Sequence, residues 1–266
     1  MSASRRFTTL TRLGFAARGL LYIVIATLLF RSGRTEDTSG ALAELGRSGG
    51  HPLLLGMAAG FIAYGLWRFA DAALDIEGHD PGAKGVRQRL AAAGSGCIYL
   101  FFAWQSLRLI AGGDAGGPDA QDRADMALHL PGGPLLLIIG GAILIGAGVY
   151  QLVKVYKCSF CDRLDPLVAY LASVRWIGRA GYAARGVIFM VCGYFVLRAG
   201  LDSRASEAGG MEEALRWLDS PIDLVVAAGL ALFGVFSLVE ARFRIIHEVP
   251  LDEVADVAKA AVGKAR

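Results

Sequence analysis

The stretch Arg12–Gly19, RLGFAARG, returns at Arg179–Gly186 as RAGYAARG, and each copy leads into an apolar run that closes on an arginine, Arg31 or Arg198. Between Arg12–Gly33 and Arg179–Gly200, nine of 22 positions are identical. A fainter copy, Arg89–Ile110 with the sequence RLAAAGSGCIYLFFAWQSLRLI, shares seven of 22 positions with the first. Self-similarity of this kind predicts a fold made by repeating one supersecondary unit. The runs that follow each copy also align: Pro52, Gly60, Tyr64, Gly65, Trp67 and Asp71 match Pro221, Gly229, Phe233, Gly234, Phe236 and Glu240 at a constant displacement of 169. In the middle copy Gly148 and Tyr150 stand for Gly65 and Trp67, and Lys154 stands where the other two carry an acid.

The unit is a membrane element by composition. Mean hydropathy is +0.48, apolar residues make up 55% and charged residues 19%, against about 25% charged in soluble domains. Six stretches approach or exceed the ~17–25 residues that cross a ~30 Å hydrocarbon core as helix: Leu13–Phe30, Pro52–Ala70, Leu90–Leu107, Pro131–Val153, Ala180–Leu197 and Leu224–Val239. The fourth holds no charge in 23 residues. Thirty-five glycines suit helices that pack backbone to backbone in lipid. The expected fold is all-α, six transmembrane helices arranged as three tandem hairpins around a pseudo-threefold axis, with repeats over 7–75, 86–157 and 174–246. Residues 250–266 place Leu251, Val254, Val257, Ala258, Ala261 and Val262 on one face and read as an amphipathic cytoplasmic helix.

Charge orients the unit. Segments before odd spans and after even ones carry sixteen basic residues, and the opposite side carries eight. Positive-inside bias then places both termini in the cytoplasm. The first span follows Arg5 and Arg6 but lacks a small-residue cleavage site, so it reads as a retained helix. Segments on the far side contain no cysteine, and no disulfide framework is implied. Each of those segments holds a short run, Ala41–Leu45, Ala127–Leu130 or Ala214–Leu218. The expectation is an interfacial turn of helix with leucines toward lipid and Trp217 as anchor. On the near side, Asp75–Gly85 reads as a hinge, and Pro166–Trp176 as a surface helix.

Ionisable residues inside spans are the functional flags of a membrane protein. Arg18 and Arg185 stand at equivalent positions of the first and third outgoing helices, and Ser95 replaces them in the second. Asp71 and Glu240 end the returning helices, and Lys154 replaces them in the second. The joint change predicts a bridge within each hairpin, Arg18 with Asp71 and Arg185 with Glu240, because one buried charge left alone costs several kcal/mol. Repeated glycines predict the matching contacts Gly19–Gly65, Gly96–Gly148 and Gly186–Gly234. Arg68 has no equivalent, since Gln151 and Ser237 take its place.

Cys158 and Cys161 form one C-x-x-C, which is half a zinc site or a redox pair. His79 and His247 are the only histidines on that side, and ordinary thiols are the simpler reading. No Walker loop, G-x-S-x-G, H-E-x-x-H or paired haem histidines occur, so no cofactor, metal or catalytic residue is assigned, and the protein is not expected to be an enzyme.

The R-x-G-[FY]-A-A-R-G segments, with the aromatics Tyr22 and Phe189 after them and the closing Arg31 and Arg198, make the chain resemble the bacterial DUF1206 family over all three units. The middle copy departs at Ser95 and Lys154. The resemblance implies a multi-pass protein of the bacterial cytoplasmic membrane and supplies no mechanism. The expected function is a small channel or transporter in which Arg18, Arg185, Lys154, Asp71 and Glu240 surround an inner vestibule. The alternative is a non-enzymatic scaffold or accessory subunit. Expected partners are membrane lipids, with a membrane-protein partner or a second copy of the chain open; net charge of +3 argues against nucleic acid.

Overall fold

The computed structural model describes residues 3–32, 38–48, 50–75, 82–113, 120–218 and 221–245. In chain order the helices are α1 (Ala3–Ser32), α2 (Thr38–Arg47), α3 (His51–Leu74), α4 (Ala83–Ile110), α5 (Ala120–Leu128), α6 (Gly133–Lys157), α7 (Pro166–Ala169), α8 (Ala172–Asp202), α9 (Met211–Trp217) and α10 (Ile222–Phe243). Six of them, α1, α3, α4, α6, α8 and α10, are long and apolar enough to cross a membrane. The shortest has 22 residues, about 33 Å at 1.5 Å per residue. The chain is an all-helical six-span membrane protein of three tandem hairpins around a pseudo-threefold axis. Pro52 and Pro134 sit in the first turns of α3 and α6, where a missing N–H costs nothing. The C-terminal amphipathic helix expected at 250–266, and most of the expected hinge, lie outside the described residues.

The spans form a ring in the order α4, α3, α1, α10, α8, α6. Hairpins one (α1, α3) and three (α8, α10) are each packed together, whereas α4 and α6 of the middle hairpin do not pack along one another. The glycines explain the remaining seams. A Cβ built on Gly65 would stand 3.2 Å from the Gly96 carbonyl oxygen, one on Gly148 2.7 Å from that of Gly186, and one on Gly234 2.7 Å from that of Gly19. The paired glycines therefore join the returning helix of one unit to the outgoing helix of the next, cyclically. This corrects the expectation of contacts inside each hairpin. Both interfaces are antiparallel and at the same depth, so sequence equivalence cannot separate them.

Hairpins one and three close on a different lock. A Cβ on Gly14 would meet Tyr64 Cβ at 2.3 Å, and one on Gly181 would meet Phe233 Cα at 2.6 Å. Each glycine is thus the seat of an aromatic side chain on the partner helix. In the middle unit the equivalent residues are Ala91 and Ala147. Neither a seat nor a ring is present, and the ring of helices stays open there.

The end away from the termini is filled. Ala41, Leu42, Ala214 and Leu215 are buried, packed with Ile25, Leu54, Met57, Phe61, Ile188 and Leu230. Ser39 donates to Gln105 Oε1 at 3.1 Å, tying α2 to α4. The expectation that these leucines face lipid is corrected for α2 and α9: Leu42 and Leu215 are buried and roof the bundle, their side chains taken up by the apolar clusters of the spans. Trp217 is exposed, edge-on to Phe195. At the terminal end, the expected surface helix is a single turn, α7, followed by a break at Leu171 and the start of α8. Leu167, Tyr170 and Trp176 are exposed there, as suits an interfacial belt. The 158–165 turn is anchored by backbone bonds from Asp165 N–H to Phe243 O and from Ile245 N–H to Arg163 O, each 2.9 Å.

Candidate functional site: a cationic cavity on the axis

Where the middle hairpin fails to close, a cavity of about 620 Å³ opens in the terminal half of the ring. Every span contributes to its wall, from Phe15 and Arg18 on α1 to Glu240 on α10, and the 158–165 turn adds Ser159, Phe160, Asp162 and Arg163. Ala91 and Ala147 both line it, which ties the void to the missing ring. Six cations, Arg18, Arg68, Lys154, Arg163, Arg185 and Arg244, face two carboxylates, Asp162 and Glu240.

The three seams distribute these charges unequally. At the seam of units three and one, Arg18 is buried between rings, with its guanidinium 4.7 Å from Phe15 and 5.1 Å from Phe233. It donates to Glu240 Oε2 at 2.5 Å and to Ser237 Oγ at 3.1 Å. Arg244 donates to Glu240 Oε1 at 2.8 Å, so one carboxylate holds two guanidiniums. At the seam of units one and two, Asp71 is fully buried and accepts from Arg68 Nη1 at 3.3 Å, with Ser95 on the helix opposite. The arginine missing at 95 has been replaced by one at 68, across the same seam. That accounts for Arg68 having no equivalent.

At the seam of units two and three the same register holds Gln151 and Lys154 on α6 and Arg185 on α8. This seam carries two cations and, among the described residues, no carboxylate within ion-pair distance of either. Lys154 Nζ lies 4.7 Å from the Tyr150 ring centroid. Arg185 stands 4.8 Å from Phe189 and 4.8 Å from Phe233. Four buried polar atoms of the lining have no partner among the described residues: Arg185 Nε, Arg68 Nε, Trp67 Nε1 and Gln88 Oε1. Buried polar groups are ordinarily paired, so four around one cavity, on α3, α4 and α8, leave hydrogen-bonding capacity for something other than protein.

The expected within-hairpin bridges are thereby corrected. Arg18 reaches Glu240 across a seam, Asp71 takes Arg68, and Arg185 has no acid among the described residues. Ser95 and Lys154 both line the cavity but stand at different seams. Residues the sequence reading missed are Arg244, counted there only among the orienting basic residues, and Trp67, noted only as the equivalent of Phe236 and Tyr150. Arg89 has a structural role as well. It donates to Ala72 O at 2.6 Å and Ala73 O at 2.8 Å, satisfying carbonyls at the end of α3. Cys158 and Cys161 have their sulfurs 3.2 Å apart. Among the described residues no third His, Cys, Asp or Glu joins them in a cluster. Burial and the hydrogen bond shared with Cys158 push the Cys161 thiol up to about 12, the opposite of a reactive thiol.

No solved structure matches the chain. It is 30% identical over 246 residues to the uncharacterised protein YxxB of Bacillus subtilis (strain 168), covering 88% of this chain and 90% of that one. The profile of the family described as Domain of Unknown Function (DUF1206) matches three times, at residues 13–75, 90–157 and 180–244, each match spanning the two helices of one hairpin. The chain, with its three seams and the cavity they enclose, belongs to the DUF1206 family.

Proposed function

We propose that the protein is a non-enzymatic transporter or channel of the bacterial cytoplasmic membrane, oriented with both termini in the cytoplasm. The cavity is its inward-facing vestibule, and the roof of α2 and α9 is the closed outer gate. The observation that carries this reading is the convergence of in-span charges on a void at the axis. A structural bundle would bury its few charges in pairs or let them reach headgroups; six cations around one cavity serve a solute. Sites at the meeting of internal repeats, near mid-membrane, are the recurring arrangement of secondary transporters.

The test exploits the missing lock. Ala91→Gly with Ala147→Phe restores the seat and ring that hairpins one and three possess. Purified wild type and the double variant are reconstituted in liposomes and challenged with a panel of anions and cations, reading current on a supported membrane. Wild type should pass charge and the filled variant should lose most of it while unfolding at the same or a higher temperature. Equal currents in the two, or none from wild type over the panel, would remove the cavity from any pathway.

A second reading, an accessory subunit, has one observation in its favour. Gly140 and Gly146 on α6 have open space where a Cβ would stand, and α6 is the least buried span. A helix of a partner or of a second copy could approach closely there. Mass measurement of the protein extracted in native nanodiscs distinguishes it, since a stable scaffold would arrive with its partner.

A further inference from the structure

We propose that the seam between α6 and α8 is a phosphate-binding site, with Lys154 and Arg185 as the charged ligands and Trp67 Nε1–H as a neutral donor. The proposal deepens the reading of the cavity as a solute site by naming the chemistry of what enters it.

Charge balance isolates this seam. At the other two every cation has a carboxylate partner, Arg68 on Asp71 and both Arg18 and Arg244 on Glu240, which leaves one net positive charge there. Here, among the described residues, neither cation has an acid within ion-pair distance, and Lys154 is within electrostatic range of three cations, Arg163, Arg185 and Arg244, against one carboxylate, Glu240. Ring faces of Tyr150, Phe189 and Phe233 hold such charges without neutralising them. An anion is the missing partner. The second observation is geometric: Trp67 is only 3% exposed, yet its indole N–H has no acceptor among the described residues, and Trp67 lines the same cavity. An indole N–H can only donate, so it calls for an acceptor atom from outside the protein. Arg185 Nε is unpaired as well.

The donor set selects an oxyanion. A guanidinium fork with an ammonium and an indole N–H offers directional donors on several sides, which a tetrahedral phosphate can accept at once and a halide cannot. The unpaired Gln88 Oε1 would accept the hydroxyl of a protonated phosphate. Two sources present this chemistry. Free phosphate would come from the aqueous side; a phospholipid headgroup would come through the opening between α4 and α6, flanked on the lipid side by exposed Leu90, Ile98, Ile143 and Val149.

The experiment follows thermal unfolding of the full chain in two arms. In the first, protein in uncharged detergent is titrated with sodium phosphate against sodium chloride at matched ionic strength. In the second, chloride-buffered nanodiscs of phosphatidylglycerol are compared with nanodiscs of phosphatidylcholine. A ligand of the folded state raises the midpoint with its concentration. Wild type should respond in at least one arm: phosphate assigns the aqueous source, phosphatidylglycerol alone assigns the headgroup. Lys154→Gln and Arg185→Gln should each raise the half-saturating concentration roughly tenfold or more, the worth of one charge-assisted hydrogen bond. Lys154→Arg should retain the response, and Arg216→Gln, exposed on α9, should leave it unchanged. Lys154→Arg also separates lost charge from lost folding. No response in either arm, or a wild-type response in both neutralised variants, overturns the site. Phosphate binding without flux would overturn transport alone; flux unchanged in Lys154→Gln and Arg185→Gln would overturn this site alone.

Discussion

Glu240 is the residue on which the charge network turns. It is 2% exposed and accepts from both Arg18 and Arg244. Glu240→Gln would leave two guanidiniums without a carboxylate in a largely buried place, and breaking a buried pair typically costs about 3–5 kcal/mol. Folded yield and unfolding temperature should fall sharply, and adding Arg18→Gln should recover part of the loss. A single variant as stable as wild type would mean that water already solvates the pair. Cys161 offers a test by reactivity. Its thiol is pushed up to about 12 by burial and by the bond it shares with Cys158. Raising a thiol's pKa lowers its thiolate fraction, here to on the order of one in ten thousand at pH 8. Alkylation at Cys161, mapped by mass spectrometry, should therefore stay slow at neutral pH and accelerate only as pH climbs toward that value. Rapid labelling at pH 7 would place Cys161 in a more open setting. At this scale the sequence showed which residues matter and misassigned their partners. Arg18 has an antiparallel neighbour on either side, α3 and α10, each bearing an acid in its last turns, and three repeats contain nothing that chooses between them.

At the scale of helices, glycines decide which surfaces touch. Gly148 faces the backbone of Gly186, while Gly146, two residues earlier on the same helix, faces nothing within 4 Å. Gly148→Leu should lose about 1–3 kcal/mol or more by overpacking, whereas Gly146→Leu should be tolerated. The pair shares helix, depth and composition change, so a difference in unfolding temperature isolates the seam. Equal effects would place the tight contact elsewhere. That glycines recur in pairs was legible in the sequence; that the pairs join successive units was not. Repetition identifies a recurring contact type without stating whether it lies within a unit or between units. The lock of Gly14 with Tyr64 and Gly181 with Phe233 was also written in the sequence, as was its absence at Ala91 and Ala147. Its meaning appears only once a side chain is seen seated against a backbone.

For the molecule as a whole, orientation rests on the sixteen-to-eight partition of basic residues. Reporter fusions at Glu36, Asp119 and Ser206 should all report the periplasmic side. A cytoplasmic signal at any of them would reverse the assignment of the cavity as inward-facing. The sequence by itself determined that there are six spans, that they come as three related hairpins, and which charges lie within the membrane. These follow from the local cost of placing backbone and charge in hydrocarbon, a property of each segment read alone. Tertiary structure alone decided which helix neighbours which, that the ring closes at five helix–helix interfaces and opens at the sixth, and that one seam is left with two cations and, among the described residues, no carboxylate within ion-pair distance of either. Those outcomes depend on shape complementarity between segments distant in the chain. A glycine, a ring and a carboxylate acquire their partners only when the helices carrying them have been packed.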